Sequence, residues 1–242
     1  MELRSVKPKA RDEVWSRRYL MVLRDSAERF ASVLDQADLD SAVPSCPGWT
    51  LNDLAVHLGR VHRWARHAVI HAEQGPEDHV GPASREALAE WFRQGAKELI
   101  EDLEATNPAT QTWHFGPKPH TVGFWMRRQA QETTIHAVDA LHAAGHPVWD
   151  IDQAFAVDGV HEVCEMFYPR QVRLGRMAPL PLTLRFFAGD MPDWSATLHG
   201  EGPERAVHAS TVAELYLAMW RRAELPGLDP QVATALAAPI TP

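Results

Sequence analysis

The sequence is poor in cysteine, in positive charge and in long apolar runs, and each shortage excludes a class of protein. Two cysteines among 242 residues cannot form the disulfide framework of a small secreted domain. The 24 basic residues are outnumbered by 32 acidic ones, which gives a net charge of -8. No basic surplus is therefore present to neutralise the phosphates of a nucleic acid. No segment approaches the roughly 18 consecutive apolar residues that a membrane-spanning helix requires.

The N-terminal segment and the overall composition indicate where such a chain resides. The segment MELRSVKPKARDEVWSRR is too polar for a signal peptide, because it lacks an apolar central stretch. We therefore expect a cytoplasmic protein. Hydrophobic residues make up 45% of the chain and charged residues 23%, which is ordinary for a globular protein with a sizeable core.

Helical periodicity dominates the first 148 residues. Apolar residues recur there at steps of three and four in four segments: about Val14 to Gln36, from Thr50 onward, about Ser84 to Ala105, and about Phe124 to Ala144. Thr50 and Asp53 have the spacing of a capping box, and Gly145 is a typical residue just beyond a helix end. Four helices of about 20 residues predict a four-helix bundle over residues 1–148.

After Trp149 the pattern changes. A helix is predicted from about Gln153 to Phe167 and another from about Val212 to Ala223. Between them, LPLTLRFFAG alternates apolar and polar residues with the period of a strand. The remainder is punctuated by proline and ends in a proline-rich tail. We therefore predict an α+β protein, with a bundle over 1–148 and a small α+β domain over 149–242.

A carboxylate and an imidazole share one face of the fourth helix. Glu132 and His136 are four residues apart, which places them about one turn from each other on the same side. Asp139 continues this stripe. His57 lies on or beside the apolar stripe of the second helix. Helical bundles build metal sites from inward-facing Glu and His on facing helices.

Two imidazoles and one carboxylate would give zinc three protein ligands and leave a fourth position open, as in catalytic sites. Asp139 could then orient His136 from behind. The pattern also allows a plainer interpretation. A Glu and a His at helical spacing can lie on a solvated face, and a His on an apolar stripe is commonly a hydrogen-bonded core residue.

Two long segments resemble a known family. VPSCPGWTLNDLAVHLGRVHRWA (43–65) and the stretch from Phe115 to Val163 are similar to the signatures of the mycothiol-dependent maleylpyruvate isomerase family, within the DinB-like metal-binding bundles. YLAMWRRAE resembles the end of that family's C-terminal domain. The resemblance implies a DinB-like four-helix bundle followed by a small α+β domain.

The resemblance also implies a set of site residues. The metal ligands fall on His57, Glu132 and His136, and a catalytic arginine falls on Arg222. Where the family has tryptophan-glycine-arginine, this chain has a doubled arginine. Where the family often has an aromatic residue before the aspartate of its second signature, this chain has Val138 before Asp139.

The activity implied is metal-dependent chemistry on a thiol. The family uses mycothiol, the low-molecular-weight thiol of actinobacteria, as co-substrate. A free thiol is only a few per cent thiolate at neutral pH, and coordination to a divalent metal, here expected to be Zn²⁺, deprotonates it. The thiolate would attack a small electrophile, and Arg222 would pair with a carboxylate of substrate or thiol.

Several functions share this first step. We expect a thiol S-transferase, with maleylpyruvate cis–trans isomerase as the alternative. A non-catalytic metal- or thiol-binding module is an alternative from another class. A hydrolase with Asp139 as base for a metal-activated water is a further enzymatic one. The expected partners are a small electrophile and a thiol, without nucleic acid or membrane; the sequence predicts no oligomeric state.

Other candidate residues receive simpler interpretations. Cys46 is expected to be a small packing residue in a turn, and Cys164 a core residue. Arg127 and Arg128 are expected either to contact an anionic group or to be solvated, and at least one of them to be solvated. Three histidines of the second helix are expected to form its polar face: His62, His67 and His71.

Overall fold

The computed structural model of the chain describes residues 8–76, 80–82 and 84–242. It divides into two compact units, with the boundary between Val148 and Trp149. The first unit is helical, and the second combines helices with a three-stranded sheet. The predicted α+β class is thereby confirmed. The prediction about a signal peptide rests partly on residues 1–7, which lie outside the described residues.

Four long helices form the first unit: α1 (Pro8–Gln36), α2 (Leu51–His71), α3 (Arg85–Ala105) and α4 (Val122–Ala143). All four predicted helices are present, and α1 begins about six residues earlier than its apolar periodicity indicated. Both α1 and α2 pack against α3 and α4, so the four helices close a ring around one core. None of the described helices combines the length and hydropathy needed to cross a membrane.

The start of α2 is fixed by the predicted capping box. The Thr50 hydroxyl accepts a hydrogen bond from the backbone N–H of Asp53 at 3.3 Å, and the Asp53 carboxylate accepts one from the backbone N–H of Thr50 at 2.9 Å. The bonds from the Thr50 backbone and hydroxyl lower the pKa of Asp53, so the carboxylate is ionised beside the positive end of the helix. This cap fixes the helical phase of His57, two turns further along.

Helix α4 is the most buried element of the bundle. From Arg128 to Ala140, every residue except Glu132 is buried. A helix that is enclosed on nearly all sides should be apolar throughout, yet this one carries several ionisable residues. Their charges must therefore be balanced inside the unit.

The second unit places two helices and a sheet around its own core. Its main elements are α5 (Gln153–Glu162), β1 (Thr183–Ala188), β2 (Met191–Leu198), β3 (Glu204–Ala209) and α7 (Val212–Met219). Strand β1 is central, antiparallel to β2 and parallel to β3. Helix α7 packs on α5 and also contacts β1 and β3. The alternation predicted for β1 is confirmed, since Leu184 and Phe186 are fully buried.

Two predicted helices of this unit differ from the observed ones. The single helix expected from Gln153 to Phe167 is instead α5, a π-helical turn (Val163–Phe167) and α6 (Tyr168–Arg173). Pro169 lacks a backbone N–H, and the π-helical turn accommodates it without ending the helix. Helix α7 ends four residues earlier than expected, and Arg221 adopts a left-handed conformation (φ 62°) just beyond it.

The proline-rich tail contains a helix that the sequence analysis missed, α8 (Pro230–Ala237). The Asp229 carboxylate caps it by accepting from the backbone N–H of Gln231 at 2.9 Å, and Pro230 occupies its first turn. An N-cap aspartate followed by proline at the first helical position is a recognised start signal, and it could have been used.

Close packing between α2 and α3 depends on Gly59, and Gly95 adjoins the same contact. A Cβ atom on Gly59 would lie 2.1 Å from the Trp91 ring, and one on Gly95 would lie 2.3 Å from the Arg63 guanidinium. That guanidinium stacks 3.8 Å from the centre of the Trp91 ring and donates to the backbone oxygens of Gly59 and Trp91. The α2–α3 contact therefore consists of Arg63 stacked on the Trp91 ring, which itself packs against the backbone of Gly59.

We expect Gly59→Leu to lower the free energy of unfolding by about 1–3 kcal/mol, because the added side chain must displace the Trp91 ring. Urea denaturation followed by circular dichroism measures this. Glu90→Ala, at an exposed position next to Trp91 on α3, is the control and should change stability by less than about 0.5 kcal/mol. Equal stability of the two variants would show that the stack does not constrain the α2–α3 contact.

Candidate metal centre

Helices α2 and α4 bring together the three side chains that the sequence analysis selected as metal ligands. Glu132 Oε1 lies 3.5 Å from His57 Nε2 and 3.3 Å from His136 Nε2. One donor atom from each residue lies within 4.8 Å of the other two. The two imidazole rings meet edge to face, with centres 5.1 Å apart. The cluster is therefore compact, although it joins two separate helices.

These distances suit a zinc ion. Ligand atoms arranged tetrahedrally at the usual zinc bond lengths lie about 3.3–3.4 Å apart, close to the two separations that involve Glu132. Two neutral imidazoles and one carboxylate are also a common ligand set of catalytic zinc. Among the described residues, no fourth His, Cys, Asp or Glu completes this group.

His136 is held from behind by Asp139. Its Nδ1 atom hydrogen-bonds Asp139 Oδ2 at 2.9 Å, which leaves Nε2 directed at Glu132. Burial by itself would lower the pKa of His136, but the bonds to Asp139 and Glu132 raise it to about 9. The fully buried Asp139 thus has the place of a residue that orients a ligand.

The loop before α2 supplies further donors to Asp139. Ser45 Oγ donates a short hydrogen bond to Asp139 Oδ1, and Cys46 Sγ lies 3.7 Å from Oδ2. Cys46 was expected to serve only as packing, but it takes part in this polar network. Cys46, Asp139 and His136 form a second group of potential metal donors, which shares His136 with the first group.

Glu132 is positioned by an arginine on its own helix. Arg128 Nη2 donates to Glu132 Oε2 at 2.7 Å, on the oxygen that does not face the imidazoles. Burial would raise the pKa of Glu132, but Arg128 and the two histidines hold it well below its ordinary value. The spacing of four residues between Arg128 and Glu132 is a sequence signal for this ion pair, although it was not among the predicted site features.

The tryptophans near the cluster differ in their surroundings. Trp49, in the loop before α2, packs against His57 with ring centres 4.9 Å apart. Trp125 is fully buried, and its indole N–H donates to the backbone oxygen of Trp113 at 2.9 Å. Trp125 is therefore a packing residue, whereas Trp49 borders the site.

The expectation that His62 belongs to a polar face is wrong. His62 is fully buried, and its Nε2 atom lies 2.9 Å from the Thr133 hydroxyl on α4. Burial lowers its pKa to about 3, so the ring is neutral. Helical periodicity could have indicated this position, since His62 lies four residues after Leu58 and three before Ala65, which are both fully buried. His71 is exposed, as expected.

Arg222 belongs to the second unit, just after α7. Its guanidinium donates to the backbone oxygen of Trp220 at 2.6 Å, and its backbone N–H donates to the backbone oxygen of Leu217. Its role in catalysis stays a prediction that rests on the resemblance.

A carboxylate and two imidazoles facing one another across a four-helix bundle define a candidate metal-binding protein of the DinB-like kind. The family model of the mycothiol maleylpyruvate isomerase N-terminal domain matches residues 20–141, half of the chain. The chain therefore belongs to this family, and the resemblance noted in the sequence is confirmed. The comparison with curated proteins returned no significant match.

Two solved structures share the fold. A crystal structure of the mycothiol-dependent maleylpyruvate isomerase is 15% identical in sequence, with a TM-score of 0.63 over 84% of this chain and 88% of the other. A histidine-to-alanine mutant of that isomerase is 16% identical, with a TM-score of 0.63 over 88% of this chain and 96% of the other. At this identity the likeness establishes the fold alone.

We expect Asp139→Asn to weaken Zn²⁺ binding by roughly 10- to 100-fold, as is typical when the partner behind a ligating histidine is changed. Competition with a chromogenic chelator measures the dissociation constant. Thr134→Val is the matched control, because it removes a different buried hydrogen bond of α4, the one to Ser26 at 2.9 Å, and should leave the affinity unchanged. Equal loss in both variants would mean that Asp139 acts only through stability.

Proposed function

We propose that His57, Glu132 and His136 bind one divalent metal ion, expected to be zinc, and that the protein uses it to activate a thiol. The observation that carries this proposal is the convergence of three donor atoms, from two helices, at separations of 3.3 and 3.5 Å. The hydrogen bonds of Asp139 to His136 Nδ1 and of Arg128 to Glu132 Oε2 support the proposal, because they leave His136 Nε2 and Glu132 Oε1 facing the site.

The chemistry that zinc supplies at such a site is activation of a thiol, whose proton is lost at neutral pH when its sulfur is coordinated. The protein's own residues prepare this step. Asp139 accepts a hydrogen bond from the Nδ1 proton of His136, so that Nε2 is the nitrogen that would bind the metal once its proton is displaced. Arg128 keeps one oxygen of Glu132 away from the cluster. Both orienting groups are buried, so water does not compete for them.

Family membership favours mycothiol as the thiol and cis–trans isomerisation as the reaction. The names of the family and of the two similar structures refer to maleylpyruvate isomerase. We therefore place the isomerase, the alternative in the sequence analysis, ahead of the S-transferase. The thiolate sulfur adds to one carbon of the electrophilic cis double bond, the remaining single bond rotates, and expulsion of the thiolate restores the double bond as trans. The thiol is regenerated in each turnover.

The other readings of the site have less support. A hydrolase would need Asp139 as a general base, but this carboxylate already accepts from Ser45 and His136 and lies behind the imidazole. A purely structural metal site would have four protein ligands, and the described residues supply three. Arg222 retains its proposed role of pairing with a carboxylate on the substrate or the thiol.

The test is turnover of maleylpyruvate by the zinc-loaded chain, with mycothiol supplied well below the substrate concentration. We expect fumarylpyruvate to accumulate past the amount of thiol, because the isomerase returns the thiol. His57→Ala should lower kcat/KM more than about 100-fold, since losing even an outer partner of a ligand costs roughly 10- to 100-fold. His71→Ala, on the same helix, should have no effect.

The fate of the thiol separates the remaining possibilities. Consumption of one mycothiol per product, with an S-conjugate detected by mass spectrometry when other electrophiles are supplied, would support the S-transferase. Zinc binding without turnover of any thiol or electrophile would contradict both enzymatic proposals and favour a non-catalytic module.

A further inference from the structure

Arg128 occupies an unusual place for an arginine. Its side chain is only 3% exposed, on the most enclosed part of α4. A buried guanidinium requires an anionic partner, since its desolvation is otherwise uncompensated. Glu132, one turn further along the same helix, meets this requirement with a 2.7 Å contact.

The contact divides the two oxygens of Glu132 between two tasks. Oε2 accepts from Arg128, whereas Oε1 faces His57 and His136. A carboxylate can bind a metal through one oxygen or through both. If Glu132 turned so that both of its oxygens faced the imidazoles, Arg128 would lose its hydrogen bond to Oε2. The arginine therefore favours ligation through a single oxygen.

We propose that Arg128 is a positioning residue that holds Glu132 to one-oxygen ligation and thereby keeps a ligand position free for the thiol. This inference rests on the metal site proposed above. It assigns to Arg128 a part in thiol binding that does not require contact with the thiol. Glu132 without Arg128 would contribute its second oxygen, and the incoming sulfur would have to displace that oxygen.

The neighbouring Arg127 provides a matched control. It carries the same side chain on the same helix, but one residue away it points about 100° around the helix axis. It is partly exposed, whereas Arg128 is buried. Methionine is used at both positions because its flexible apolar chain fills space without a charge.

The experiment uses the full chain loaded with Co²⁺, whose visible absorption is intense in four-coordinate sites and weaker when the coordination number rises. The probe thiol is 2-mercaptoethanol, and its binding is followed by the sulfur-to-cobalt charge-transfer band in the near ultraviolet. We expect Arg128→Met to weaken the visible bands and to raise the thiol dissociation constant about 10-fold or more. This is the size of effect that is typical when the hydrogen-bond partner of a metal ligand is mutated. Arg127→Met should match the wild type.

Three outcomes decide between the proposals. An Arg128→Met variant with the wild-type spectrum and the wild-type thiol affinity would overturn the role of Arg128 and leave the metal site intact. Failure of the wild type to bind Co²⁺ would overturn the metal site itself, and this inference with it. If Arg128→Met does not fold, the zinc-loaded crystal structure of the wild type decides: one oxygen of Glu132 on the metal supports the inference, and both oxygens on the metal contradict it.

Discussion

The first unit depends on balancing four ionisable side chains along one enclosed helix. Arg128, Glu132, His136 and Asp139 succeed one another at steps of four, four and three residues on α4, and each contacts the next. Burying any one of these charges without a partner would cost several kcal/mol, a large fraction of the stability of a typical domain. With His136 protonated, as its raised pKa of about 9 indicates, the series positive, negative, positive, negative instead neutralises itself. His57 from α2 contacts its one partly exposed member, Glu132. The contacts that permit this burial also direct His136 Nε2 and Glu132 Oε1 towards His57, at the candidate metal site.

Much of this could be predicted from sequence because it is local. The Glu132–His136 pair follows from the helical repeat, and the start of α2 follows from the Thr50–Asp53 capping box. The facing position of His57 is not local; its place on or beside the apolar stripe of the second helix suggested it, and the likeness of a long segment to a known family supported it. Family membership is now established by the match over residues 20–141.

What the sequence could not reveal depends on contacts between distant segments. The donation from Ser45 to Asp139 joins residues 94 positions apart, and the hydrogen bond between His62 and Thr133 joins α2 to α4. Arg128 is an intermediate case, since its spacing from Glu132 is local but its burial is tertiary. Helix α8 was missed for a different reason, because its prolines were read as a sign of an irregular tail.

The most direct test of the account is the anomalous X-ray scattering of crystals grown with zinc, recorded on both sides of the zinc absorption edge. The account predicts one strong difference peak, bonded to His57 Nε2, Glu132 Oε1 and His136 Nε2 at about 2.0–2.2 Å. A peak ligated by other residues, or no peak after zinc is supplied, would contradict it.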